Sequence, residues 1–144
     1  MIYYNMKYII YKIQIKDYIY IGSTSNFTIR KATHKRDCNY ESQHNHNYLL
    51  YRTIRDNGGW DCCTIVPVKE IEVETKMQAH IAEEEVRLEY NAQMNARRAY
   101  RTKEQKTDYK KQYQQTPEYK ESRKQYRLAK KAKVAEFPEN IVGV

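Results

Sequence analysis

The sequence predicts an α+β protein, a small three-stranded antiparallel sheet flanked by helices, followed by a basic helical or partly disordered tail. Three observations predict it. Two β-rich runs, Tyr8 to Ile15 and Tyr18 to Ile21, are separated only by Lys16-Asp17, the spacing of a hairpin. A third β-rich run, Cys62 to Val68, lies between stretches with helical spacing. Beyond Asn95 the apolar residues stop: from Arg97 to Arg127 there is no Leu, Ile, Val, Phe or Met.

In the first run Ile9, Tyr11, Ile13 and Ile15 alternate with Tyr8, Ile10, Lys12 and Gln14, the period of a strand. The return strand, Tyr18-Ile19-Tyr20-Ile21, is expected to stop at Gly22. Tyr11, Tyr18 and Tyr20 then share one face of the hairpin, and Ile19 and Ile21 the other. Thr24 or Ser25 is the expected cap of a helix running to about Arg36, on which Arg30 and His34 stack at i, i+4. Four groups suited to a phosphodiester, Tyr11, Tyr20, Arg30 and His34, thus come from one hairpin-helix unit.

Residues 37–47 read as a polar loop, and Tyr48 to Asn57 as a short helix with Leu50 and Ile54 inward, ended by Gly58-Gly59. Pro67, near the end of the third strand, suits an edge or a terminus. A third helix, about Glu74 to Tyr90, carries Met77, Ile81 and Leu88 as its apolar stripe and the acidic run Glu83-Glu84-Glu85. The expected order is ββααβα, in a domain over 1–96 with a modest core. In the tail, 97–144, Thr102 to Gln105 has the form of a capping box and Thr116-Pro117-Glu118 that of a second helix start. Two short helices that pack on little are expected.

The chain carries a formal net charge of +8, unevenly placed. Residues 1–96 hold twelve Lys/Arg and twelve Asp/Glu, whereas 97–133 hold fourteen against four, a net of +10. Polyanion binding is therefore the tail's business. The tail lacks the Trp/Phe/Leu face of an interfacial helix, so no membrane partner is expected. Cys38, Cys62 and Cys63, odd in number with two adjacent, fit a reducing, intracellular setting and lack zinc-ligand spacing. His44-Asn45-His46 resembles another nuclease motif in name alone and reads as loop.

Taken together, these residues resemble a GIY-YIG nuclease domain over roughly the first ninety-five residues. Ile9-Ile10-Tyr11 stands for the first half of the motif and Tyr20-Ile21-Gly22 for the second. The Gly-Ser-Thr turn, Asn26 opening the helix, Arg30 and His34 follow in family order. Tyr51 to Trp60 resembles the family's helix and Gly-Trp turn, and Glu83 with Asn95 twelve residues later matches its essential glutamate and asparagine. The sequence departs from the pattern at Ile9, where the family has glycine.

The resemblance implies a divalent-metal-dependent endonuclease that hydrolyses DNA phosphodiester bonds, with Mg²⁺ or Mn²⁺ held by Glu83. It implies Tyr11 as the base that takes the water's proton, Tyr20 as the group orienting that water, and Arg30 as a planar donor for phosphate oxygens. His34 would hold Tyr11 or a phosphate or shuttle a proton, and Asn95 would fix the substrate or the Glu83 loop. A phenol of pKa ~10 ionises at pH 7 only at a cost of about 4 kcal/mol, so Tyr11 is expected to be lowered by Arg30 and the metal.

In the tail, Arg97, Arg98, Arg101, Lys110, Lys111, Arg123, Lys124 and Arg127 interleave with tyrosines, a pattern suited to phosphate contacts plus base stacking. DNA is the expected partner, with RNA as a second polyanion of the same chemistry. The tail also resembles the Lys/Tyr-rich extensions on such domains in large DNA viruses and mobile elements. Two other readings follow from the same residues. The domain can be a catalytically inactive DNA- or RNA-binding module of the same fold, or the tail can serve protein contacts in a structural protein. Taken singly, each tyrosine reads as packing and each charged residue as a solvated face; the ordered set favours the nuclease.

Overall fold

A computed structural model of the chain describes residues 4–136. Residues 1–3 and 137–144, with Tyr3 and the end of the expected tail, lie outside the described residues. The chain divides into two compact units, Met1–Tyr100 and Arg101–Val144. The division falls a few residues after the expected 96/97 boundary, so Arg97 and Arg98 belong to the first unit.

In the first unit, β1 (Met6–Ile15) and β2 (Tyr18–Thr24) form the hairpin. Helices α1 (Phe27–Asn39) and α2 (Leu49–Asp56), a 3₁₀ turn over Trp60–Cys62, β3 (Thr64–Val73) and α3 (Lys76–Glu89) follow. The sheet order is β2-β1-β3 with both pairings antiparallel, so the most apolar strand takes the centre. This is the α+β class and the ββααβα order that the periodicities predict.

The register places Tyr11 opposite Gly22, Ile13 opposite Tyr20 and Ile15 opposite Tyr18. Because side chains alternate, the sheet separates two apolar clusters. On one face Tyr11, Ile13 and Ile15 pack with Cys38 of α1, Leu50, Tyr51 and Ile54 of α2, Trp60 and Met94. On the other, Ile10 and Ile21 pack with Val86 of α3 and Ala92. Each isoleucine fully buried in this way contributes about 1.5–3 kcal/mol, which makes β1 the strand the fold depends on.

Several local expectations are corrected. Gly22 does not end β2, which runs on to Thr24. Asn26, not Thr24 or Ser25, caps α1: its Oδ1 accepts the Ile29 N–H at 3.0 Å, while Thr24 Oγ1 accepts the Asn26 N–H at 3.1 Å. Helix α1 continues through Asp37, Cys38 and Asn39, residues expected in a loop, because Asp37 and Cys38 are buried. Strand β3 starts at Thr64 and runs five residues past Val68 to Val73, so Pro67 is interior. It is tolerated because β3 is an edge strand, and the pairing slips there: Ile10 faces Lys69 but Tyr11 faces Pro67, leaving Val68 as a bulge.

The expected stripe of α3 is also corrected. Met77 and Leu88 are 61% and 62% exposed, and the buried positions are Ala79, Glu84 and Val86. Small residues face the sheet, which lets the helix approach it closely. Helix α3 ends with Asn91 in the left-handed region (φ 47°), and the Ala92 N–H reaches back to the Arg87 carbonyl at 3.1 Å. That turn sends the chain back along β2.

The second unit consists of α4 (Lys103–Gln115) and α5 (Pro117–Glu136). Thr102 and Gln105 form the predicted capping box. Thr116 caps α5, its Oγ1 accepting the Tyr119 N–H at 3.3 Å, and Pro117 takes the first helical position. Neither helix has a buried residue, in keeping with helices that pack on little. At twenty residues, however, α5 is longer than the short helix expected. Tyr109 and Tyr113 stack at 6.4 Å, and Tyr113 meets Tyr119 edge-on at 5.4 Å across the turn. Among the described residues no helix is long and apolar enough to cross a membrane.

Candidate active site

The inward face of α1 carries chemistry where a core helix would carry aliphatic side chains. Phe27, Arg30, His34, Asp37 and Cys38 recur at helical spacing, and the last three are buried. Opposite them stands Tyr11, 0% exposed. Arg30 Nε donates to the Tyr11 hydroxyl at 3.0 Å, and that hydroxyl lies 2.7 Å from His34 Nε2. His34 Nδ1 lies 2.8 Å from the Tyr51 hydroxyl of α2. Tyr20 packs against both Tyr11 and His34, with ring centroids 6.3 and 5.8 Å away.

Gly22 makes this arrangement possible. A Cβ there would lie 2.5 Å from the Tyr11 hydroxyl oxygen and 2.6 Å from Cζ, so the phenol rests on bare β2 backbone. Ile9, half-buried, sits opposite Thr24 and Glu70 and belongs to neither apolar cluster.

Electrostatics fix the charge state of the hydrogen-bond chain. Burial, aided by the Arg30 guanidinium, pushes the His34 imidazole down to about 3, so it is neutral. A neutral imidazole donates from one ring nitrogen and accepts at the other, so His34 accepts from one of its two phenol partners, Tyr11 and Tyr51, and donates to the other. Arg30 pulls the Tyr11 phenol down, as expected of it, but does not lower it by itself. Burial raises it, Tyr20 adds to the rise, and the opposing pull of Arg30 is outweighed. Tyr20 is raised for the same first reason, then by the nearby Glu83 carboxylate. Lys12 takes no part, since its Nζ lies over the Tyr90 ring at 5.4 Å on the other face.

Glu83 reaches the site from the opposite side of the sheet. Ser23, on the α3 face of β2, donates to Glu83 Oε2 at 2.5 Å and orients the carboxylate. Burial raises its pKa, while the Ser23 hydrogen bond and His80 oppose the rise. Glu84 is instead committed to a two-pronged pair with Arg87 at 2.7 and 2.9 Å, and Glu85 is exposed. Of the three acids, only Glu83 is both placed and free to act in the cleft.

Asn95 lines the cleft and also holds the edge of β2. Its Oδ1 accepts the Ile21 N–H at 3.0 Å and its Nδ2 donates to the Ile21 carbonyl at 2.7 Å, as a neighbouring strand would. Met94 N–H and the Gln93 side chain bond the Ile19 carbonyl and N–H in the same way. Residues 93–95 therefore cover the free edge of β2. With both ends of its amide engaged, Asn95 positions Tyr20 and Gly22 and leaves Glu83 to Ser23.

Tyr20, Arg30, His34, Glu83 and Asn95 all line one cleft of about 470 Å³, and Tyr11 lies enclosed behind it, bonded to Arg30 and His34. Arg52 and Arg97 line it too. Asn45 and His46 of the loop motif serve α1: Asn45 Nδ2 donates to Asp37 Oδ2 at 3.1 Å and His46 Nδ1 lies 3.1 Å from the Asp37 carbonyl. Sequence reading missed Tyr51, Ser23 and His80 as site residues. Tyr51 reads as one more apolar position of α2 and Ser23 as a turn residue, whereas His80, three positions before Glu83, was a visible signal.

Among the described residues no group of three His, Cys, Asp or Glu side chains could hold a metal ion. A hydrated Mg²⁺ needs only one or two carboxylates, and the oriented, half-buried Glu83 fits that demand. Beside it, His80 Nδ1 is buried and has no hydrogen-bond partner.

The remaining predicted cations are spread over both units. Arg98 is exposed in the first. In the second, Arg101 lies 4.4 Å over the Tyr109 ring, and Lys110 and Lys111 are exposed on α4. Arg123, Lys124 and Arg127 line a groove on α5 with Lys120, Lys131 and Tyr119. No protein-family model, curated protein or solved structure matches the chain.

Proposed function

We propose that the chain is a divalent-metal-dependent endonuclease of the GIY-YIG type that hydrolyses DNA phosphodiester bonds, with α4 and α5 anchoring nucleic acid without sequence preference. The observation that carries this reading is the chain Arg30–Tyr11–His34–Tyr51 opening on the same cleft as the carboxylate of Glu83. A core needs none of these groups there, whereas phosphodiester hydrolysis needs all of their chemistries.

Hydrolysis without catalysis is so slow that a site must supply of order 20 kcal/mol. Arg30 spends only Nε on Tyr11, which leaves its terminal amino groups for non-bridging phosphate oxygens. Tyr11 need not ionise. It accepts the proton of the attacking water as its own moves to His34 Nε2, and the phenol stays neutral throughout. Tyr51 holds the far side of that imidazole. A bound phosphate beside His34 favours the imidazolium that results, opposing the burial that otherwise suppresses it. Tyr20 orients the water at the cleft wall. A divalent cation bound at Glu83 would polarise the scissile phosphate and stabilise the leaving 3′ oxygen.

The five cations lining the α5 groove supply sequence-independent phosphate contacts, and the tyrosines supply faces for stacking. RNA satisfies the same chemistry. One observation favours a second reading, a binding module without catalysis: Tyr11 is wholly enclosed. Nicking of supercoiled plasmid by the purified chain with Mg²⁺ or Mn²⁺ separates the two. Glu83→Ala and Arg30→Ala are each expected to lower nicking by about 10³-fold or more. Full nicking by both variants would sink the site, and no cleavage by wild type with any divalent cation would leave the binding module.

A further inference from the structure

His80 is a titratable side chain beside the cleft that the mechanism above leaves idle. It lies on α3 one turn before Glu83, with Nδ1 3.8 Å from Glu83 Oε2. That distance is too long for a hydrogen bond, and Nδ1 is buried without a partner, while part of the ring reaches solvent. Buried polar atoms in native proteins almost always have a partner, so an orphan next to an oriented carboxylate calls for a missing third body.

We propose that His80 Nδ1 is a second protein ligand for the divalent cation held at Glu83, and that the pair makes the site prefer a transition-metal ion such as Mn²⁺ over Mg²⁺. This rests on the reading of Glu83 as the metal-holding residue. Metal–ligand bonds of about 2.1 Å set cis donors ~3 Å apart and tetrahedral donors ~3.4 Å apart. From 3.8 Å, a small side-chain rotation brings both donors onto one ion with the backbone in place. Spacing of i, i+3 on a helix is the geometry by which one helix presents an imidazole and a carboxylate together.

Ser23 holds Oε2 and limits the carboxylate's rotation away from His80. The choice of ion follows from the nitrogen donor. Imidazole suits first-row transition metals, whereas Mg²⁺ favours oxygen and retains its waters. A site of Glu83 alone would discriminate little; Glu83 with His80 discriminates.

The test is direct metal binding by the full chain, followed by the electron paramagnetic resonance of Mn²⁺ and by calorimetry with Mg²⁺. Wild type is expected to show nitrogen coupling to bound Mn²⁺. His80→Ala is expected to lose that coupling and at least about tenfold in Mn²⁺ affinity, while Mg²⁺ affinity stays within about twofold. Bound Mn²⁺ without nitrogen coupling in wild type, a measurement no misfolded variant can distort, overturns the inference and leaves Glu83 as the holder. An unchanged Mn²⁺ affinity in His80→Ala does the same. Failure of wild type to bind either ion removes the reading of Glu83 as well.

Discussion

The two units hold their structure by different means. In Met1–Tyr100 the order comes from burial: β1 lies between two apolar clusters, and Tyr11 on that enclosed strand bonds Arg30 and His34 of α1. In Arg101–Val144 no residue of either helix is buried, and order comes from caps, tyrosine stacking and cations over rings. The contrast suits the two tasks proposed above. A reaction needs groups held to fractions of an ångström, which only a packed scaffold provides, whereas an anchor for a polyanion needs charge at regular spacing and tolerates fraying.

The largest expected effect lies in the first unit. His34 is neutral and held at about 3 in the folded chain, against about 6.5 when unfolded. The unfolded chain therefore binds more protons between these values. Stability is present above pH 6.5 and is lost as the pH falls toward 3, by up to about 4 kcal/mol. Glu83, raised by burial, works in the opposite direction, so the effect is read by comparing urea unfolding of wild type and His34→Gln at pH 7, 5 and 4. A pH profile identical in both proteins would remove the neutral, buried imidazole from the account.

Next comes the anchor. Replacing Lys120, Arg123, Lys124, Arg127 and Lys131 with Gln should leave thermal unfolding of the first unit unchanged. The same variant should lower the slope of log affinity against log salt for duplex DNA by as much as about 4. An unaltered slope would move nucleic-acid binding to Arg52, Arg97 and the cleft.

Gly22→Ala sharpens the first side of the comparison, because its Cβ meets Tyr11 in a packed interior. It should cost about 2 kcal/mol and displace the phenol from Arg30 and His34. Calorimetric unfolding measures the first, and the ring-nitrogen chemical shifts of His34 report the second. The smallest effect belongs to the caps. Thr102→Ala removes a capping box and should weaken α4 by about 1 kcal/mol, seen as lower helicity at 222 nm with the first unit's melting untouched.

Local features were legible in the sequence wherever one residue type does one local job. The hairpin followed from alternation around Lys16-Asp17, the end of α2 from Gly58-Gly59, and the tail caps from Thr102 and Thr116. Errors arose where a distant partner decides. Met77 and Leu88 satisfy the helical period, yet the sheet requires small side chains, so Ala79 and Ala82 face inward instead. Pro67 reads as an edge or an end; the edge is borne out, while the bulge that lets the strand run on past it comes from the pairing with β1. Asn95 stood out by its spacing from Glu83, but that spacing does not reveal its pairing with Ile21.

By itself the sequence determined the class, the order of elements, the separation of charge between the two units, and the set Tyr11, Tyr20, Arg30, His34 and Glu83. Period, turn chemistry and composition are properties of neighbouring residues and need no third dimension. Only the tertiary structure decided the state of those groups. Enclosure makes His34 neutral and raises Tyr11, and the crossing of α3 over β2 brings Glu83 to Ser23 and leaves His80 Nδ1 without a hydrogen-bond partner. Desolvation and hydrogen bonding depend on what surrounds a group, and what surrounds these groups comes in part from chain sixty or more residues away in sequence.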